Sequence, residues 1–190
     1  MQPKLDSVPA HKKYTMDGQV ALAILQGSLV LLVSYSEANG IPHYIPTEEL
    51  QSGSKFGLYV NNQEPAWVYA IASDLHNNVT KLFPYADNIS AYMNYSQNNI
   101  YLPDEEHEYE LAATAGTDYF CVLFSKEELD INNIVAQLKI EDGTFYQKLS
   151  KVLGNKMVPQ NEVEYDNCAI SFSAKTDKTV VPLVIEILHK

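Results

Sequence analysis

Across residues 56–124 the chain is a succession of short apolar runs, each stopped by proline, glycine or a pair of asparagines, and this punctuation dictates a fold built from strands. Phe56, Leu58 and Val60 alternate with Gly57, Tyr59 and Asn61 at a period of two, as in a strand with one buried face. Trp67, Tyr69 and Ile71 alternate with Val68, Ala70 and Ala72, so this strand has two apolar faces and belongs inside a sheet. His76-Asn77-Asn78 reads as a turn because asparagine tolerates the left-handed conformation of tight hairpins. Residues 79–83 then return as the partner strand, and Pro84, which has no amide to donate, ends it. Asn98-Asn99, residues 100–102 and Pro103 repeat the sequence of turn, strand and stop. Residues 109–113 and 119–124, around Gly116, complete a meander.

The flanks extend this pattern. Residues 1–19 hold Pro3, Pro9 and few apolar side chains, which predicts a flexible arm, with folding beginning near Val20 and one β-rich domain over 20–190. The longest apolar run, 20–33, is broken by Gln26, Gly27 and Ser28 and falls short of the about 20 apolar residues that span a bilayer. It reads as two strands and a tight turn. Residues 36–53 carry Asn39-Gly40, Pro42 and Pro46 and are expected to form a connector. Ser125-Lys126-Glu127-Glu128 has capping-box spacing, so a helix is expected to start there. Ile131, Ile134, Val135 and Leu138 share one helical face, and Phe145, Leu149, Val152 and Leu153 form a second set ended by Gly154-Asn155. Residues 169–174 and 180–188 look like a final hairpin. The predicted fold is mainly β, an antiparallel sandwich-like domain with a helical segment within 126–153 covering an edge or one end of the sheet.

Charge narrows the partners. There are 24 Asp plus Glu against 13 basic residues, all of them lysine, for a formal charge of −11. Arginine supplies the planar fork that reads guanine edges and clamps phosphates, and phosphate neutralisation needs clustered positive charge. Nucleic acid and anionic lipid surfaces are therefore excluded as expected partners. The chain either stays where it is made, in the cytoplasm, or follows a removed export signal into a bacterial periplasm or envelope.

The common enzymatic signatures are incomplete or missing in the sequence. His107-Glu108-Tyr109-Glu110-Leu111 begins like a zinc-protease helix but has leucine where the second histidine must stand, so no metal would be held. A nucleophile elbow, a Ser-x-x-Lys pair and the phosphate-binding glycine loops are all missing from the sequence. Cys121 and Cys168 lie in apolar, strand-like surroundings and read as core fillers; a disulfide between neighbouring strands is the oxidised alternative. Either thiol beside one of His11, His43, His76, His107 or His189 would make a cysteine-dependent hydrolase, the competing function. The acidic run Asp104-Glu105-Glu106-His107-Glu108 offers Asp104, Glu105, Glu106 and Glu108 as hard oxygen ligands for calcium. It lacks the glycine-containing Asp-x-Asp-x-Asp spacing of dedicated loops and is expected to be a solvated loop whose charge protects a sheet edge. No cofactor is implied.

Tyrosine is in excess, with thirteen in the chain. Sheet packing accounts for most of them. Between Pro84 and Pro103, however, tyrosines alternate with asparagine and serine at low charge, a composition closer to a recognition loop than to a core strand. Tyr85, Tyr92, Tyr95 and Tyr101 are the expected anchors for another protein.

The order from Trp67-Val68-Tyr69, through Leu82-Phe83-Pro84 and Asn98-Asn99 to Leu102-Pro103, and on to the glycine-led strand from Gly116 to Ser125, resembles the bacterial module named Domain of Unknown Function family 4384, over about 57–129. Gly116-Thr117-Asp118 departs from its more usual form, which has Glu after the glycine. The helical pair and closing strands point to a longer variant of Bacteroidota type. The resemblance implies a β-rich accessory unit of envelope or signalling proteins that binds another protein and carries no catalytic centre.

Overall fold

The computed structural model describes residues 13–24, 29–38, 41–74, 76, 78–94 and 99–190. Two sheets of seven strands each face one another. The first is ordered β10 (Tyr109–Glu110), β5 (Lys55–Asn61), β1 (Tyr14–Ile24), β13 (Ile170–Thr176) and β12 (Val163–Tyr165), with β2 (Leu29–Val30) paired to β1 and β9 (Ile100–Leu102) paired to β5. The second runs β3 (Val33–Ala38), β4 (Ile41–Pro46), β14 (Val180–His189), β11 (Gly116–Ser125), β6 (Ala66–Ser73) and β7 (Val79–Phe83), with β8 (Tyr92–Met93) also on β6. Pairings are antiparallel except β4 with β14. Helices α1 (Ile131–Ile140) and α2 (Phe145–Leu153) form a third layer.

Alternation along each strand explains the layering. Met16, Val20 and Leu22 of β1, Leu58 and Val60 of β5 and Phe172 of β13 point inward, against Val68, Val122, Leu183 and Ile185 of the second sheet. Aromatic rings close the gap: Phe56 meets Phe120 at 4.6 Å between centroids, and Phe124 meets Phe172 at 5.2 Å. The opposite faces of β6, β11 and β14 carry Tyr69, Ile71, Cys121, Leu123 and Val184, which bury against Val135, Leu138, Leu149 and Leu153 of the helices. The mainly β sandwich is thus as expected, and the central position of β6 with it. The helices lie on the outer face of the second sheet rather than on an edge or end.

Several local expectations are corrected. The first sheet begins at Tyr14, not near Val20, because Met16 and Gly18 alternate inward while Asp17 and Gln19 take the solvent side. Residues 36–53 are no simple connector: they hold the end of β3 and all of β4, whose His43 and Tyr44 pair with β14 between Pro42 and Pro46. Ser125 is the buried last residue of β11, and its hydroxyl donates to the Glu127 carbonyl at 2.7 Å instead of capping a helix. Asp130 caps α1 by accepting from the Asn133 amide, and the capping box lies at Thr144 and Gln147 of α2. Strands β13 and β14 do not pair as a hairpin; the link between them crosses from one sheet to the other, so each presents its apolar side to the same core from opposite directions. The meander is likewise divided, β5, β9 and β10 in one sheet and β6, β7 and β11 in the other. The turns expected at Gln26-Gly27-Ser28, at Asn77 and at Asn98, the arm up to residue 12, and Tyr95 lie outside the described residues.

Gly18 marks a tight point of the core. A Cβ there would sit 2.5 Å from Cε1 of Phe124, which is itself wedged against Phe172. Gly18→Ala is expected to destabilise the domain by about 2 kcal/mol or more, because the ring has no space to retreat into. Lys175→Ala, on the solvent face, should stay within about 0.5 kcal/mol of the parent. Thermal or urea unfolding of both variants checks this.

Candidate functional site

Because the helices cover the second sheet, the outer face of the first remains open, and alternation places Tyr59 of β5 on it. Tyr59 registers with Tyr101 of β9, and their rings lie 5.0 Å apart at 54°. Tyr101 lies over Gly57: a Cβ there would come within 2.1 Å of its Oη, so only glycine leaves the ring its seat. Pro103 then ends β9, and Asp104 folds the acidic run back. Its Oδ1 accepts from the amides of Glu106 at 2.8 Å and His107 at 2.9 Å. The same carboxylate meets Nδ1 of His107 at 2.7 Å, and this contact foremost holds the Asp104 carboxyl below the ordinary carboxylate range.

The result is a cleft of about 690 Å³ lined by Tyr59, Phe83, Asn99, Tyr101 and the run from Asp104 to Glu108. Tyr101 Oη is buried without a hydrogen-bond partner, and burial, reinforced by Glu108, pushes the phenol above its ordinary value. Among the described residues no lysine lines the cleft. Tyr101 and the carboxylates of 104–108, near neighbours in the chain, thus share one cavity. Tyr59 completes it, and the only sequence signal for Tyr59 was its place on the polar phase of the alternating strand. Among the described residues no three His, Cys, Asp or Glu side chains gather as metal ligands, so Asp104, Glu105, Glu106 and Glu108 do not converge on a cation.

Tyr85 and Tyr92 lie elsewhere, beside the second sheet, exposed by 52% and 44%. Tyr92 leans on Trp67 at 5.1 Å, and Trp67 lines a second cleft of about 470 Å³ between residues 84–91 and the start of α1. Tyr69 donates shape to its wall and accepts the Leu129 amide at 2.8 Å, fixing the approach to α1.

The thiols sit apart. Cys121 is buried under the helices, and burial pushes its thiol far above the ordinary range. Cys168 is not in an apolar strand but exposed on a turn where Asp166 accepts its amide at 2.7 Å. Both are free, and no imidazole bonds either among the described residues. A native thiolate nucleophile needs exposure and a lowered pKa. Alkylation of the native protein is accordingly expected to modify Cys168 alone, with Cys121 reacting only on unfolding, as peptide mass mapping will show.

Two histidine clusters were not legible in the sequence. Ser52 Oγ lies 2.9 Å from Nδ1 of His189, whose Nε2 is 3.4 Å from Asp118, a pair buried where Asp118 also accepts the Ala112 amide. Ser52 belongs to a tight turn and lines neither cleft, so the cluster ties the 51–54 turn to the last strand. His43 stacks 5.0 Å from Tyr146 of α2, and its Nε2 is 3.7 Å from Glu186, to which Tyr146 donates at 2.5 Å. Burial lowers the His43 pKa from 6.5 although Glu186 opposes the shift. The unfolded chain then takes up the proton first, so stability is full above about pH 6.5 and falls as pH drops below it. His43→Gln should flatten that acid limb in urea titrations between about pH 7 and 5.

Among the described residues no helix is long and apolar enough to cross a membrane. No curated protein and no solved structure matches the chain. Residues 49–128, which run from the turn before β5 to the strand end after β11 and contain the whole aromatic and acidic cleft, match the family model described as Domain of unknown function (DUF4384), beginning eight residues before the expected start at 57.

Proposed function

We propose that this chain is a non-catalytic accessory module, of bacterial envelope or signalling setting, that holds a partner protein by inserting a basic side chain of the partner into the cleft under Tyr59 and Tyr101. The observation that carries this reading is an aromatic pair beside several carboxylates, with no lysine in the lining among the described residues. A cation over a tyrosine face gains about 0.5–2 kcal/mol, the more so as it loses water. The exposed carboxylates of Glu105 and Glu106 add long-range attraction, and the chain's charge of −11 steers a basic partner toward it. Nothing in this scheme makes or breaks a covalent bond. The separate Tyr85, Tyr92 and Trp67 surface beside the second sheet is a second contact area, favoured by the exposure of both tyrosines.

Tetralysine and its fully acetylated counterpart test the cleft directly. NMR titration should show tetralysine perturbing Tyr59, Tyr101 and Glu106, with affinity falling as sodium chloride rises, whereas the acetylated peptide leaves these signals in place. Tyr101→Ala should weaken binding by about tenfold. Equal binding of the two peptides, or an unchanged affinity in Tyr101→Ala, defeats the reading.

A further inference from the structure

The cleft under Tyr59 and Tyr101 holds a group that can change its charge. His107 belongs to the lining, on a tight turn closed by a single β-bridge between Asp104 and His107. The Asp104 carboxylate pins this turn from inside. It accepts the amides of Glu106 and His107, and Nδ1 of the His107 ring lies 2.7 Å from one of its oxygens and 2.8 Å from the other. The histidine side chain is nonetheless 69% exposed, against 29% for Asp104. One ring nitrogen is thus tied to the carboxylate while the body of the ring stays open to the water of the cleft.

Histidine is the side chain whose charge changes between about pH 5 and 8. A neutral ring donates its Nδ1 proton to Asp104, and the pair keeps one negative charge for a basic ligand to meet. In the protonated ring both nitrogens carry hydrogen, the pair is neutral, and a positive charge already occupies the cavity. Among the described residues His107 is the one lining group that can become a cation.

The ionisable groups that face it come from three strands and its own turn. Asp104 is held below the ordinary carboxylate range, by the His107 contact foremost, and stays ionised as the ring takes its proton. Glu105, Glu106 and Glu108 share the turn. Tyr59 of β5 and Tyr101 of β9 stand across the cleft, and Tyr109 of β10 lies near Asp104; burial raises the phenols of Tyr101 and Tyr109, which carry no charge in this range.

We infer that His107 is a pH switch for the cleft: its imidazolium stands in for the partner's basic side chain against the carboxylates, so the partner is held near pH 8 and released near pH 5.5. This rests on the basic-side-chain reading of the cleft and adds its regulation. Two unit charges roughly 6 Å apart in a water-filled cleft repel enough to weaken binding about threefold, and more where water is displaced.

The test is an NMR titration of the whole chain with tetralysine blocked at both termini, at constant ionic strength. Lysine keeps its proton up to about pH 10, so the charge of the probe is the same throughout. The dissociation constant of the parent should rise about threefold or more from pH 8 to 5.5. His107→Gln, which is neutral at both pH values and keeps an N–H for Asp104, should lose that rise. His107→Lys, charged at both, should bind at pH 8 about as weakly as the parent does at pH 5.5. Parent and variants share His43, so any acid loss of folded protein is common to them, and thermal unfolding at pH 5.5 measures it. No binding by the parent at pH 8 removes the basic-side-chain reading and the switch with it. Equal parent affinity at both pH values, a rise retained in His107→Gln, loss of binding by His107→Gln at pH 8, or full affinity of His107→Lys at pH 8 leaves that reading in place and overturns the switch.

Discussion

Phe124 on β11 is fixed from two sides, by the ring of Phe172 and by the bare backbone of Gly18, and this contact sets the distance between the sheets. Everything outside that seam follows from it. Once the inner faces are occupied, β6, β11 and β14 have one apolar face left over, which the two helices bury. The first sheet has little such surplus: its outward residues on β1 and β13 include Asp17, Gln19, Ser171, Ser173 and Lys175, which can face water. The asymmetry of the molecule, one sheet roofed and one open, is a direct result of which strands are apolar on both sides.

That distinction was readable from residues alone for β6, where both alternating series are apolar. It failed for β1 and β4. In β1 the inward series passes through Gly18, which carries no hydrophobic signal, and in β4 two prolines suggested interruption although the pairing to β14 uses only the residues between them. Ser125 misled for a related reason: its capping-box spacing is real, but β11 needs the residue for its ladder to Trp67 and Val180. Tertiary pairing outweighs a local helix signal of about a kilocalorie.

The candidate site was legible in parts but not as a whole. Tyr101 and the carboxylates after Pro103 stood out by composition; Tyr59 did not, since a tyrosine on a strand is ordinary. Their meeting depends on β9 pairing with β5 across some forty residues and on Gly57 leaving room for a ring. Tyr85 and Tyr92, similar in sequence context to Tyr101, end up beside the other sheet because the chain changes sheets between β8 and β9. A shared composition does not imply a shared surface when each strand can belong to either layer.

Strand β14 occupies the middle of the second sheet, between β4 and β11, although it follows both of them in the chain. During translation β4 and β11 therefore emerge without their common neighbour, and each presents an unpaired edge until residues 180–189 leave the ribosome. β5 is better placed, because β1 precedes it. Closure of the sandwich is in this sense a late, long-range event, the kind that slows folding and prolongs exposure of sticky edges. The acidic surplus then acquires a second meaning: with a charge of −11, half-finished chains repel one another during the interval in which their strands would otherwise pair between molecules.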